Sequence, residues 1–166
     1  MQGLRRLMPG DQTYEGAEKL DVLITYLDPK VREAGLNYAH EGDAGCDLRC
    51  RLDFDLAPFE RALVPTGISL ALPEGYVALV HPRSGLAVKK GITVLNAPGT
   101  IDAGYRGEIK VPLINLNSHE TVHFDAGDRI AQMVIQRYVQ ATFVEANALP
   151  ESQRADRGFG SSGIKG

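Results

Sequence analysis

From Asp21 onward, short stretches of alternating apolar and polar residues are broken every few positions by Gly, Pro, Asn or Asp. Alternation with a period of two sends successive side chains to opposite faces of an extended strand, so the pattern predicts an all-β sandwich or barrel. The strand segments it marks are Val22–Leu27; Leu52, Phe54 and Leu56; Ile68, Leu70 and Leu72; Tyr76–Val80; Ile109, Val111 and Leu113; Val122 and Phe124; Ile130–Val139; and Thr142–Glu145. Pro73-Glu74-Gly75 and Asn117-Ser118-His119 fit between them as turns. Pro112 removes a ladder donor inside an otherwise good strand, which places it at an edge or a bulge, where we expect a contact.

Helical signals are confined to two short segments. Asp28 to Gly35 has a capping residue, a proline at the first helical position and a glycine stop, and Ser84 to Lys90 runs into Gly91. Residues 1–20 are polar and without periodicity and read as a flexible N-terminal tail. Residues 21–149 form the β-domain. Residues 150–166 carry a single aromatic, Phe159, among glycines and serines, too little apolar surface for a core of their own, and read as a mobile C-terminal arm.

With 166 residues the chain has the length of one domain. Eighteen Lys and Arg against 21 Asp and Glu leave a net charge of −3, and 43% hydrophobic residues exclude disorder as the state of the whole chain. Scattered basic residues and a negative balance provide no stripe for a polyphosphate backbone, which argues against nucleic-acid binding. The longest apolar run, Tyr76–Val80, is far below the roughly 18 residues of a membrane span, and no apolar stretch follows the two arginines of Met1–Pro9 as a secretory signal requires. A cytoplasmic protein is expected. Cys46 and Cys50 would lie about 13 Å apart along a strand, beyond the roughly 7 Å that a disulfide spans, and read as reduced, half-buried thiols.

Candidate chemistry falls in three clusters. Pro82-Arg83-Ser84-Gly85-Leu86-Ala87 sets a guanidinium, a hydroxyl and an unobstructed amide before a helix start, a combination that suits a phosphate; the plainer alternative is a surface salt bridge beside a serine N-cap. Asn96 to Glu108 is a hairpin-like loop with polar side chains at intervals of two to four, in which Asp102 is either a reactive carboxylate or the closure of an Asx turn before Gly104. Arg154 to Gly163 interleaves cations, an aromatic and exposed amides, as an active arm or as a linker.

Together with Asp43-Ala-Gly-Cys-Asp-Leu48 and Gly127-Asp-Arg-Ile-Ala-Gln132, these clusters resemble, in order and spacing, the five motifs of the trimeric dUTPase family. The resemblance covers Asp21 to Gly163. It implies a distorted jelly-roll subunit in a homotrimer with three equivalent sites at subunit boundaries, hydrolysing dUTP to dUMP and pyrophosphate with Mg²⁺, which limits uracil incorporation into DNA and supplies dUMP for thymidylate synthesis.

Carried over residue by residue, the resemblance makes Asp102 the base that orients and deprotonates the attacking water, and Asp47 a contact to Mg²⁺ through the ion's water shell. Arg83, Ser84, Gly85 and Gln132 hold phosphate oxygens, while Asp128 and Arg129 form a structural turn and ion pair. Asn96, Gly99, Thr100 and Ile101, with the rest of the hairpin, read uracil's polar edge. Tyr105 packs on the deoxyribose, and Lys110 either faces the nucleotide or stands exposed on its strand. In the arm, Phe159 stacks on uracil while Arg154, Gly160, Ser161 and Ser162 close over the phosphates. Ala155 and Arg157 stand where the family pattern has glycines, so Arg157 is a second candidate for the phosphate contact. The nearest alternative, a dCTP deaminase, resembles an Arg-Ser-Ser segment with Trp in place of Tyr105, whereas this chain has Arg83-Ser84-Gly85. A nucleotide-sensing regulator without catalysis is the other alternative.

Overall fold

Eleven short strands and two short helices realise the alternation in a computed structural model that describes residues 19–152. The arm residues Arg154, Phe159, Gly160, Ser161 and Ser162, and nearly all of the N-terminal tail, lie outside the described residues. Strand β1 (Leu23–Tyr26) pairs with β5 (Ile68–Ala71), and β3 (Phe54–Leu56) with β10 (Val122–Phe124). A four-stranded sheet runs in the order β2 (Gly45–Arg49), β11 (Arg129–Arg137), β6 (Tyr76–His81), β8 (Gly99–Ile101). A three-stranded sheet runs β4 (Arg61–Pro65), β9 (Lys110–Asn115), β7 (Ile92–Val94), and every pairing is antiparallel.

Inward positions follow the period of two. Cys46 and Leu48 of β2, Ala131 and Met133 of β11, Ala78 and Val80 of β6, Val111 and Leu113 of β9, and Ile92 and Val94 of β7 belong to one buried cluster. The same alternation sends Asp47, Gln132 and His81 to the opposite face, and register sets them in one row, since Gln132 lies opposite both Asp47 and His81. Hydrophobic burial of one face therefore aligns the polar residues of the other.

Both predicted helices form. In α1 (Pro29–Ala34) the Asp28 carboxylate accepts the N–H of Lys30 at 2.8 Å, and in α2 (Ser84–Lys90) Gly91 closes the helix at φ 70°. Cys46 and Cys50 are free but fully rather than half buried, each donating its S–H to a backbone carbonyl, and burial raises both thiol pKa values.

Two expectations are corrected. Pro112 sits in β9, the middle strand of its sheet, not at an edge. It is tolerated because its carbonyl accepts the N–H of Leu95, so its own nitrogen faces the same neighbour just past the end of β7, where no further ladder bond is required. Thr142–Glu145 forms no strand: Phe143 is 96% exposed, and alternation without a neighbouring strand cannot satisfy an extended backbone. Conversely, β2, β4, β7 and β8 are not marked by the alternation. All are short, and β2, β4 and β8 also contain Gly, Pro or charge, so their partners rather than their own pattern hold them.

Phe59 is the only non-glycine residue with positive φ (60°) among the described residues. It follows Pro58 in a turn closed by the Glu60 N–H on the Ala57 carbonyl at 3.0 Å, at the position where a type II turn favours glycine. Its side chain is 64% exposed, so little packing offsets the roughly 1–2 kcal/mol that a left-handed conformation costs an L-residue. Phe59→Gly is expected to raise the urea midpoint, the strain relief outweighing the added freedom of the unfolded chain. A lowered midpoint would show that the aromatic ring itself contributes stability.

Candidate active site

The expected site residues on β2, β6, α2 and β11 line one cleft of about 740 Å³, which includes Gly45, Asp47, His81, Arg83, Ser84, Gly85, Arg129 and Gln132. Arg83 occupies the N-cap position of α2 and makes no side-chain cap, so the serine N-cap alternative does not hold; Ser84 and Gly85 are the first two helical residues. Their amides belong to the turn that has no intrahelical acceptors and point away from the helix body.

The salt-bridge alternative for Arg83 is realised, but its partner is Asp47. The Arg83 Nε donates to Asp47 Oδ1 at 2.9 Å, and Arg83 Nη1 donates to the Arg129 carbonyl at 3.3 Å. Arg129 in turn donates from Nη1 to Asp47 Oδ2 at 3.2 Å. The ion pair expected for Arg129 therefore exists with Asp47, eighty-two residues away, while Asp128 keeps its turn role by accepting the Asp125 amide. Register decided this, since Arg129 and Asp47 belong to neighbouring strands whose pairing the local sequence does not state. A guanidinium carries five N–H groups, so the two bonds made by Arg83 leave three to meet an anion. Gln132 spends one amide hydrogen on the Pro82 carbonyl at 3.1 Å and keeps one donor. Gly45 makes room for that amide: a Cβ there would come within 2.8 Å of Gln132 Oε1.

Among the described residues no group of three or more His, Cys, Asp or Glu side chains could hold a metal ion. Two carboxylates line the cleft: Asp43, whose Oδ2 accepts the His40 N–H at 2.9 Å, and Asp47, 19% exposed, beside guanidinium groups. One or two carboxylates fit an ion that keeps most of its water and is bound chiefly by phosphate oxygens.

A second cleft, about 520 Å³, collects the second cluster and its neighbours: Asn96, Gly99, Thr100, Ile101, Asp102, Tyr105, Glu108 and Lys110, with Leu63, Val80 and Pro112. It shares no lining residue with the first, and β6 divides them, Val80 facing one and His81 the other. Asp102 is exposed, its backbone carbonyl accepting the Tyr105 N–H at 3.0 Å. Its carboxylate takes no hydrogen bond among the described residues, so the turn does not use the side chain. Tyr105 is 47% exposed and donates its hydroxyl to the Glu108 carbonyl at 3.0 Å, which makes it a wall of the cleft and not a core aromatic. Gly107 lets the ring lie there, since a Cβ would stand 2.5 Å from the Tyr105 hydroxyl. Lys110 is exposed, 3.9 Å from the Glu108 carboxylate, and still lines the cleft. Glu108, which motif reading left without a role, is the additional residue of this cleft; its place in the hairpin stem was the only signal.

Elsewhere, His123 lies between Asp55 at 2.7 Å and Asp125 at 3.3 Å, and its hydrogen bonds to these carboxylates raise its pKa above the ordinary value. Among the described residues no helix is long and apolar enough to cross a membrane.

A sequence model of the dUTPase family matches residues 33–163. A deoxyuridine 5'-triphosphate nucleotidohydrolase of Bifidobacterium longum (strain DJO10A) is 65% identical over 157 residues, 95% of this chain and 99% of the relative. The enzyme of that name from Streptomyces coelicolor is 56% identical over 144 residues, 87% of this chain and 78% of the relative. Among solved structures, the dUTPase of Staphylococcus bacteriophage 80alpha with dUPNHPP is similar with a TM-score of 0.79 and 26% identity, over 88% of this chain and 100% of that one.

Proposed function

The chain belongs to the dUTPase family and is a dUTP diphosphatase, and from this we propose that its active site is composite, assembled from the two clefts of neighbouring copies in a homotrimer. The observation that carries the reading is the division of the motif residues between two clefts with no residue in common, one lined by Arg83, Ser84, Gly85 and Gln132 and the other by Asp102. Hydrolysis at the α-phosphorus needs both at one nucleotide, so a second copy has to bring them together.

In the proposed mechanism Asp102 accepts a proton from a water that attacks the α-phosphorus in line. A new P–O bond forms on the α-phosphorus, the bond to the bridging oxygen of the β-phosphate breaks, and pyrophosphate departs with the negative charge. The three remaining N–H groups of Arg83, the amides of Ser84 and Gly85 and the free donor of Gln132 meet charge on the phosphate oxygens. Asp47 would hold Mg²⁺ through the ion's water, and a bound ion would neutralise the triphosphate and favour its bent form. Arg83 and Arg129, by fixing both oxygens of Asp47, keep that carboxylate oriented.

Uracil would be read by the backbone of residues 99–105 and by the Asn96 amide, whose Nδ2 lies 3.3 Å from the Cβ position of Gly99. Cytosine offers a donor where uracil offers an acceptor and would leave buried groups unpaired. Thymine differs by one methyl group, worth only about 1–3 kcal/mol in a yielding pocket, so its rejection demands a stiff wall. Tyr105 would lie flat against deoxyribose and exclude a 2′-hydroxyl. Residues 150–166 are proposed to act as an arm over a neighbour's site, with Phe159 on the base and Arg154, Gly160, Ser161 and Ser162 toward the outer phosphates, Arg157 sharing or replacing Arg154. Residues 1–20 would be a tail outside the β-domain of residues 21–149, and a cytoplasmic location is proposed for the whole.

The test is pyrophosphate release from dUTP, dTTP, dCTP and UTP, with and without Mg²⁺. Release from dUTP that depends on the ion is expected, with the other three much slower. Ammonia release from dCTP, or tight dUTP binding without turnover, would overturn the reading.

A further inference from the structure

Resting on that reading, we infer that Glu108 is a positioning residue for base selection: its carboxylate clamps the base-reading hairpin to the β4–β5 turn. Glu108 Oε1 accepts the N–H of Gly67 at 2.9 Å, and the side chain is only 14% exposed. The backbone carbonyl of the same residue accepts the Tyr105 hydroxyl at 3.0 Å. One residue thus ties the aromatic wall to the hairpin stem and the stem to a separate turn.

The anchor point is itself fixed. Gly67 has φ 73°, and a Cβ there would meet Val31 Cγ2 at 2.9 Å and Arg51 Cδ at 3.0 Å, so the turn is packed too closely to carry any larger residue. On either side of the clamp, the Thr66 hydroxyl donates to the Ile109 carbonyl at 2.6 Å and the Ile109 N–H donates to the Ile68 carbonyl at 2.9 Å. The other side of the hairpin is held by the pairing of Gly99, Thr100 and Ile101 with β6. Among the described residues the tip is tied by the Arg106 guanidinium on the Ala103 and Tyr105 carbonyls, by the Tyr105 N–H on the Asp102 carbonyl, and by Ala103 packed against the core. Between the fixed Ile109 and the Tyr105 wall, Glu108 therefore supplies the tie to the turn through its carboxylate and the tie to the ring through its carbonyl.

A carboxylate on a backbone N–H is stronger than a neutral hydrogen bond, and its loss leaves the Gly67 N–H without its acceptor. A hairpin that can shift makes room for the extra methyl group of thymine. Glu108 touches no reacting atom; it acts through the backbone that reads the base and through Tyr105.

The experiment compares the full-length wild type with Glu108→Ala, Glu108→Asp and Glu108→Gln. Selectivity is measured as the ratio of kcat/KM for dUTP over dTTP, and amide hydrogen exchange is followed in residues 99–107 of the nucleotide-free protein. In Glu108→Ala the ratio is expected to fall about tenfold, the scale of one charge-assisted hydrogen bond, chiefly through a lowered KM for dTTP, with faster exchange in the hairpin. Glu108→Asp, one methylene too short to reach Gly67, is expected to behave like Ala and serves in its place if Ala does not fold. Glu108→Gln, which keeps an acceptor at the same reach, is expected to restore both readouts. Unchanged selectivity and unchanged exchange in Ala and Asp would overturn the inference. A wild type without dUTP hydrolysis would sink the functional reading instead, while the exchange experiment would still report on the clamp.

Discussion

Replacing Asp102 with Asn is expected to slow dUTP turnover by about 10²–10⁴, the usual worth of a positioned general base, while nucleotide affinity stays near that of the wild type. The substitution is close to isosteric and keeps an oxygen able to orient water, but the amide cannot take the proton that the water must lose. Side effects on the fold should be small, because the Asp102 side chain is exposed and closes no hydrogen bond among the described residues; the turn is made by its backbone carbonyl and the Tyr105 N–H. Single-turnover pyrophosphate release, paired with equilibrium binding of a nonhydrolysable dUTP analogue, separates the two effects. Turnover close to wild type would remove Asp102 from the chemistry; lost binding with intact chemistry would make it a substrate contact.

Arg83→Ala is expected to lower kcat by about 10²–10³, on the scale of losing a preorganised donor to developing charge, and to raise KM as well. Two consequences combine. The phosphate loses the guanidinium donors that Arg83 has to spare, and Asp47 loses its 2.9 Å partner, leaving Arg129 alone to orient it. Arg83→Lys should recover little, because a point charge cannot serve Asp47, the Arg129 carbonyl and a phosphate from one plane as the guanidinium does. Steady-state kinetics over a range of Mg²⁺ concentrations checks this, since a poorly oriented Asp47 should demand more of the ion. Arg83→Ala with unchanged kcat would reduce Arg83 to a structural partner of Asp47.

Much of the site was legible because its parts are contiguous in the chain. Arg83-Ser84-Gly85 and the hairpin from Asn96 to Glu108 are single segments whose chemistry can be read without knowing what lies beside them. What could not be read is how the segments meet. Asp47 reads as a metal contact from its motif, yet that Arg83 and Arg129 fix its two oxygens is visible only once β2, β11 and β6 are side by side. Glu108 showed no signal of its own, because its partner is a backbone N–H forty-one residues away and a glycine in a turn carries no mark of what it binds. The expected strand at Thr142–Glu145 illustrates the opposite error: alternation is necessary for a half-buried strand but does not supply a partner.

By itself, then, the sequence determined the all-β class, the inward-facing residues of the strands it marked, the two helices with their aspartate and glycine boundaries, and the family whose chemistry the five motifs carry. Each of these follows from periods of two or from groups a few residues apart, which constrain the chain locally whatever surrounds it. Only the tertiary structure decided the row of Asp47, Gln132 and His81, the pairing of Arg129 with Asp47, the place of Pro112 in a middle strand, the clamp of Glu108 on Gly67, and the division of the motif residues between two clefts. These depend on which strands become neighbours and in what register, and that choice is made by burial of the whole core, to which every strand contributes and which no single segment encodes.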